Sequence, residues 1–521
     1  MPARGDLETR VGAEIDALLV GADEALTAGY PGDRGTRQPV HTVYVPADLF
    51  SPALTARWGQ RALAMMDDQA PDPEHFAGAM GLPPGLAREV QPLVRAKLTT
   101  EPIEDLRLDF EDGYGERDSA VEDADAGAAA AALAAAVAQG TAPPFVGLRC
   151  KSLEPRTRRR AIRTLDLFIA AALEHGPLPA GLVLTLPKVT SAAQVAAMAH
   201  LCTKLEEAHR LKPGRLVFEV QVETPQAVLG ADGTATIARC VHAGQGRVAG
   251  LHYGTYDYSA ALGIAAGYQS IEHPAADHAR AVMQVAAAGT GVRLSDGSTN
   301  IVPCGDRGQI AAAWRLHARL VRRSLERGFY QGWDMHPGHL PSRYAATYGF
   351  FRQDLPTACA RLRSYLGGGR GALIEEPATA RALAGYVARG AACGAVTPQE
   401  IADLVGPDLA SLDRPGLDAL RAAVQAVPAR GDTAAGDTPG PGPEPPVAPR
   451  SPGSARSAAA VRAVPARGGT VPSGDTPDPE GPEPPAAPRS PGSARRAAAV
   501  RDNVRSPGRS TDHGGERSDG G

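Results

Sequence analysis

Up to Gln425 the chain alternates two patterns of apolar spacing. Short runs of β-branched and aliphatic residues give way to longer stretches with helical periodicity. Eight runs predict strands: 41–46 (HTVYVP), 106–110 (LRLDF), 145–149 (FVGLR), 182–187 (LVLTLP), 216–222 (LVFEVQV), 247–252 (RVAGLH), 299–303 (TNIVP) and 329–335 (FYQGWDM). Most are rich in Val, Leu and Ile, as strands buried on both faces are. Helices are predicted between them. The stretch 119–139 is Ala-rich and stops at Gly140, and 156–174 places Ile162, Leu165, Ile169 and Leu173 on one face. The stretch 191–211 ends before Pro213, and a last barrel helix is placed at about 341–355. Eight βα repeats predict parallel strands closing on themselves, so the fold class is α/β, a (β/α)8 TIM barrel over residues 41–355.

Residues 1–40 predict a helical lead-in carrying Leu18, Leu19 and Val20. Residues 356–425 predict a helical appendage, in which Thr397-Pro398-Gln399-Glu400 is a capping box. Such an appendage suits a cover for the barrel mouth or a subunit contact. After Gln425 the composition turns to Pro, Gly, Ala, Arg and Ser, and segments repeat. AVPARGDT at 426–433 returns as AVPARGGT at 463–470, and APRSPGSAR at 448–456 returns at 487–495. These units lack the large apolar residues that stacking needs, so residues 426–521 are expected to be a disordered low-complexity tail. A docking site for readers of Pro-rich sequence is the functional alternative.

Composition narrows the function classes. A net charge of −4 and a pI near 6.4 give no global attraction to nucleic acid or an anionic membrane. No two of the six cysteines lie closer than 34 residues, so CxxC-type zinc or redox pairs are absent from the sequence. A reducing, cytoplasmic setting is the expectation. The N-terminal residues lack a signal-peptide core, and no apolar run is long enough to span a bilayer.

The candidate chemistry sits at strand ends. Glu223 closes one strand; Asp257 follows the next, 34 residues on, about one strand–helix repeat. In a barrel both acids reach the same rim, and two carboxylates facing an open cup suit a hard divalent cation. Asp109, Glu111 and Asp112 lie in LRLDFEDGYG, Arg149 closes FVGLRCKS, Lys188 closes LTLPKVT, and Asp334 and His336 lie in GWDMHPGH. A lone strand-end Asp is more often a cap than a ligand. Recurrence on successive strands favours one convergent cavity.

The ordered set DFEDGYG, GLRC, LTLPK, VQVETPQAV, GLHYGTYDYSAALG and GWDMHPGHL resembles the HpcH/HpaI aldolase and citrate lyase β-subunit superfamily over about residues 41–355, with a malate synthase-like G-x-x-D-Y detail. The resemblance implies a (β/α)8 enzyme that makes or breaks C–C bonds through a metal-stabilised enolate. It implies Mg²⁺ (or Mn²⁺) on Glu223 and Asp257, and Arg149 beside the oxygen that becomes the enolate. Lys188, Gly254 and Thr255 join Arg149 as substrate-binding candidates. The chain departs from the pattern at FEDGY (110–114) and at Tyr256 and Tyr258, which flank Asp257.

Glu111 and Asp112 are the candidate general bases, joining Arg149 as the catalytic set. The alternative for either acid is a hydrogen bond to a neighbouring strand end or a metal-bound water. His336 is expected to orient the last loop, and His273 and His278 to be loop residues. Arg156, Arg158, Arg159, Arg160 and Arg163 read as the solvated start of a helix, or as a grip for a phosphate or the CoA nucleotide. The leading expectation is a metal-dependent carbon–carbon lyase or aldolase on a small 2-oxo or 3-hydroxy acid. The alternatives are an acyl-CoA lyase, thioesterase or synthase of the citryl/malyl-CoA or malate synthase type, and a non-catalytic scaffold with a docking tail. The expected partners are a small 2-oxo acid or acyl-CoA substrate and further copies of the chain in a homo-oligomer, with no nucleic acid and no membrane.

Overall fold

The computed structural model describes residues 6–33, 35–366 and 376–406. The order of elements is α1 (Asp6–Gly29), β1 (His41–Pro46), α2 (Leu54–Gln69), α3 (Pro73–Met80), α4 (Pro84–Thr100), β2 (Asp105–Asp109), α5 (Ser119–Ala138), β3 (Phe145–Arg149), α6 (Arg158–Glu174), β4 (Leu182–Leu186), α7 (Ala192–Ala208) and β5 (Phe218–Val222). It continues with α8 (Pro225–Val228), α9 (Thr236–Ala243), β6 (Val248–Tyr253), α10 (Thr255–Ala261), α11 (Pro274–Ala287), β7 (Arg293–Ser295), α12 (Arg307–Glu326), β8 (Gly332–Asp334), α13 (Leu340–Leu366), α14 (Pro377–Ala392) and α15 (Pro398–Val405).

All eight strands are parallel, in the order β7-β6-β5-β4-β3-β2-β1-β8. The ring closes where Ser295 bridges to Gln331 and the Asp296 N–H donates to the Gln331 carbonyl at 2.8 Å. This is the (β/α)8 barrel that the alternation predicts. The loop entering α12 carries a capping box, Asp306 with Gln309, and Ser191 with Gln194 does the same for α7.

Three expectations are corrected. The segment 299–303 is not a strand: the seventh strand is the three-residue β7, six residues earlier. Helix α11 ends at Ala287, and Gly289 and Gly291 turn the chain through positive φ (76° and 75°) straight into β7. That leaves 297–306 as the loop at the top of β7. His278 lies within α11 and His273 caps it, accepting from the Ala275 N–H at 3.1 Å. The last barrel helix runs to Leu366 with Pro356 inside it. The capping box at Thr397 is present, and α14 and α15 pack on α13. The appendage beyond Gly406 and the repeated tail lie outside the described residues.

The strands are buried on both faces, but the two faces differ. Val43, Val45, Leu106, Leu108, Leu148, Leu184, Val220 and Leu251 are buried and belong to the apolar core. The alternate positions meet inside the ring, where β2 reaches β5 directly. Arg107 donates to both Glu219 oxygens (Nε 3.0 Å, Nη2 2.7 Å) and also pairs with Asp105. Thr185 donates to Glu219 at 2.6 Å, and His252 and Tyr44 lie 3.0 and 3.3 Å from it. Barrel interiors are more usually filled with branched aliphatics. Here the filling is a hydrogen-bonded charge network, which the functional layer continues upward.

Candidate active site

Three inward positions climb β2: Asp105, Arg107 and Asp109. Asp109 is paired in register with Arg149 on β3. Its carboxylate accepts from Arg149 Nε and Nη2, both at 2.7 Å, and from the Glu111 and Gly113 N–H groups at 3.0 and 2.8 Å. Arg149 is therefore held as a rigid fork. Its Nη1 edge faces Glu111 (3.2 Å) and Gln221 (3.3 Å), and its guanidinium lies over the Tyr44 ring, 4.8 Å from the centroid. Trp333 on β8 is tilted against Tyr44 at 4.6 Å. Together these aromatics form an apolar patch against the charged cup.

Lys188 follows β4 with a positive φ of 53°. A non-glycine residue in that region is strained, and such strain clusters at functional sites. Its backbone and its side chain both hold it. Its N–H donates to Glu223 Oε1 at 2.7 Å, and its ammonium lies 2.7 Å from Asp257, 3.0 Å from Asp112, 3.6 Å from Glu111 and 3.7 Å from Glu223. Glu223 closes β5. Asp257 sits in the first turn of α10. Gly254, between β6 and α10, makes room for Glu223: a Cβ there would lie 2.4 Å from Glu223 Cβ and 2.7 Å from its Oε2.

The acids divide electrostatically. Burial pushes the Glu111 carboxyl up to about 8, against the pull of Arg149 and Lys188. Burial likewise raises Glu223 to about 7, with Lys188 opposing. For Asp112 burial also acts upward, but Lys188 and Arg149 outweigh it and bring the group to about 2. Burial disfavours the Lys188 ammonium, and the four surrounding carboxylates raise it regardless.

The expected residues Glu111, Asp112, Arg149, Lys188, Glu223 and Asp257 thus converge on one cup. Three others do not line it with side chains. Thr255 is buried, its hydroxyl spent on Ser298 (N–H 3.2 Å, carbonyl 3.4 Å). Asp334 is turned away from the cup, held by Arg343 (2.8 Å), His41 (2.7 Å) and His317 (3.2 Å). His336 caps the turn before α13, accepting from the Gly338 N–H at 2.9 Å. Asp109, named among the strand-end acids, serves the site by fixing Arg149. Gln221, Tyr44 and Trp333 are residues that sequence reasoning missed as parts of the site. Their signal was present: each occupies an inward position of a strand already identified.

The residues fit a divalent ion at the cup. A cation, the Lys188 ammonium, already sits among four carboxylates, and Gly254 leaves Glu223 space that a side chain would fill. Among the described residues, the group of three whose ligand atoms lie within 4.8 Å of one another is a different one, His317, Asp334 and His339. Arg343 already neutralises Asp334 there, its carboxyl held far below the usual range chiefly by that guanidinium against the effect of burial. This second set reads as a buried ion-pair network tying β1, β8, α12 and α13 together.

A family model described as "Domain of unknown function (DUF6986)" matches residues 19–417. The chain belongs to the DUF6986 family. No curated protein matches this DUF6986 chain. Solved structures it is similar to include a citrate lyase from Burkholderia xenovorans (18% identity, 71% of this chain and 99% of that one, TM-score 0.46). Another is the protein CitE of Mycobacterium tuberculosis in complex with magnesium, acetoacetate and coenzyme A (18%, 68% and 98%, TM-score 0.40). A third is a magnesium/glyoxylate complex of Haloferax volcanii malate synthase (14%, 76% and 99%, TM-score 0.38). Among the described residues of this DUF6986 chain, no helix is long and apolar enough to cross a membrane.

Proposed function

We propose that the chain is a divalent-metal-dependent carbon–carbon lyase or aldolase acting on a small 2-oxo acid. The observation that carries the reading is the single cup in which Arg149, Glu111, Asp112, Glu223 and Asp257 meet, with a cation already among the acids. Glu223 and Asp257 would hold Mg²⁺ or Mn²⁺, leaving positions open for a chelating 2-oxo acid. Such an ion supplies Lewis-acid polarisation of the 2-oxo carbonyl.

The protein's own groups account for the rest. Arg149 is fixed by Asp109, and its Nη1 edge, which faces Glu111 and Gln221, would donate to the carbonyl oxygen that gains charge as the C–C bond breaks. Glu111 suits the base better than Asp112, because its carboxyl titrates near operating pH. In the cleavage direction Glu111 removes the proton of the 4-hydroxyl, the C3–C4 bond breaks, and its electron pair passes to the enolate. The aldehyde leaves, and the proton on Glu111 returns to C3 to give the 2-oxo acid. Tyr44 and Trp333 keep water from one side of Arg149.

An acyl-CoA substrate gains less support. The arginine run offered for the CoA phosphates is partly engaged: Arg160 and Arg163 both pair with Asp123, joining α5 to α6. The test is deuterium exchange at pyruvate C3 in D₂O with Mg²⁺, a partial reaction needing no aldehyde. Exchange that is lost in both Glu223→Gln and Asp257→Asn is the expected result. Unchanged exchange in both variants overturns the assignment.

A further inference from the structure

Lys188 is the unusual member of the cup. Its ammonium contacts four acids carried by three strand ends, Glu111 and Asp112 after β2, Glu223 after β5 and Asp257 after β6. The backbone under it is strained, with φ at 53°, and is pinned to Glu223 through its own N–H. A lysine that merely balanced charge would need neither the strain nor the pin. The side chain is 22% exposed, so its four-carbon stem has a path toward the mouth.

We propose that the Lys188 ammonium and a divalent ion are alternative occupants of the same seat. The lysine then sets the divalent concentration at which the cup loads, and on loading it turns toward the mouth to meet a substrate carboxylate. This rests on the reading of Glu223 and Asp257 as the metal seat.

Two physical points favour exclusion over co-occupancy. The ammonium lies within hydrogen-bonding distance of Asp257, one of the two carboxylates that would hold the ion. A divalent ion a few ångström from an ammonium in a half-buried cup also meets strong like-charge repulsion. The seat is therefore filled by one cation or the other. The lysine keeps the acid cluster compensated when divalent ion is scarce, and it supplies a positive group for an anionic substrate once the ion is bound.

The test uses the full chain and magnesium chloride as the probe. Calorimetric titration compares wild type with Lys188→Met, which retains the straight stem but removes the charge. At the same time, lysine reactivity toward acetic anhydride is read by mass spectrometry with and without Mg²⁺. Lys97, Lys151, Lys188, Lys204 and Lys212 are all the lysines in the chain, and Lys204, more than half exposed, is the internal standard. The expected result is Mg²⁺ binding tighter by at least about tenfold in Lys188→Met. In wild type, Mg²⁺ is expected to raise acetylation of Lys188 relative to Lys204. The reactivity arm needs no variant, so it decides the matter if Lys188→Met fails to fold. Equal Mg²⁺ affinity in both proteins, or a Lys188 no more reactive with Mg²⁺ bound, overturns the exchange and leaves the metal seat standing. Absence of Mg²⁺ binding in both proteins overturns the exchange together with the seat.

Discussion

The ammonium of Lys188 lies 2.7 Å from Asp257, linking the residue after β4 to the first turn of α10 across the cup. The other acid of the pair, Glu223 at the end of the neighbouring β5, accepts from the Lys188 N–H. One lysine thus bridges both proposed metal ligands, one through its side chain and one through its backbone. On the proposed reading, metal binding would be coupled to the protonation of the cup.

The coupling has a sign. Burial raises Glu223 to about 7, and a divalent ion binds its deprotonated form. Apparent Mg²⁺ affinity should therefore climb by up to about tenfold per pH unit below 7 and flatten above it. Calorimetric titrations between pH 5.5 and 8.5 check this. A flat profile would show that Glu223 is not a ligand.

Glu111 makes a separate prediction about stability. Its carboxyl is raised to about 8 in the folded protein against an ordinary value of 4.5. Between those values the folded state holds a proton that the unfolded chain has lost, so stability falls as pH rises through about 8. Glu111→Gln, which mimics the protonated form, should lose most of this decline. Urea denaturation at pH 6 and pH 9 measures the difference, and an unchanged slope in the variant would locate the decline elsewhere.

Gly254 is sterically required. A methyl group there meets Glu223 Cβ at 2.4 Å, and neither atom is the end of a flexible chain. Gly254→Ala should cost about 1–3 kcal/mol in stability, as overpacked positions do. It should also displace the Glu223 carboxylate, so Mg²⁺ affinity drops while the far-ultraviolet circular dichroism is retained.

Beneath the cup, the Arg107–Glu219 pair is fully buried. Glu219→Ala strands the guanidinium and should destabilise the barrel by about 3–5 kcal/mol. Replacing both partners with Met should recover much of that loss, because neither charge is then left unpaired. Chemical denaturation of the single and double variants separates the two outcomes.

How far the sequence anticipated this molecule varies from one residue to the next. The strand 145–149 matches β3 at both ends, because a short apolar run is framed by Pro144 and the charged LRCK segment. β7 escaped notice because a three-residue strand carries almost no periodic signal, whereas the nearby loop residues Ile301 and Val302 imitate one. The convergence of Arg149, Lys188, Glu223 and Asp257 was legible because parallel strands deliver their C-terminal residues to one rim. Asp334 obeys the same rule yet faces outward. Only the three-dimensional position of Arg343, nine residues later on α13, decides that. The charged barrel interior was also written in the chain, as polar residues at alternate positions of DLRLD and FEVQV. Its partners, β2 with β5, are too distant in sequence to be paired by inspection.

The most direct test is where a divalent ion binds. Crystals of the full chain grown with Mn²⁺ and pyruvate, and measured for manganese anomalous scattering, should show a peak between the carboxylates of Glu223 and Asp257, with pyruvate against Arg149. A peak at His317, Asp334 and His339, or none at the cup with Mn²⁺ in excess, would contradict the account.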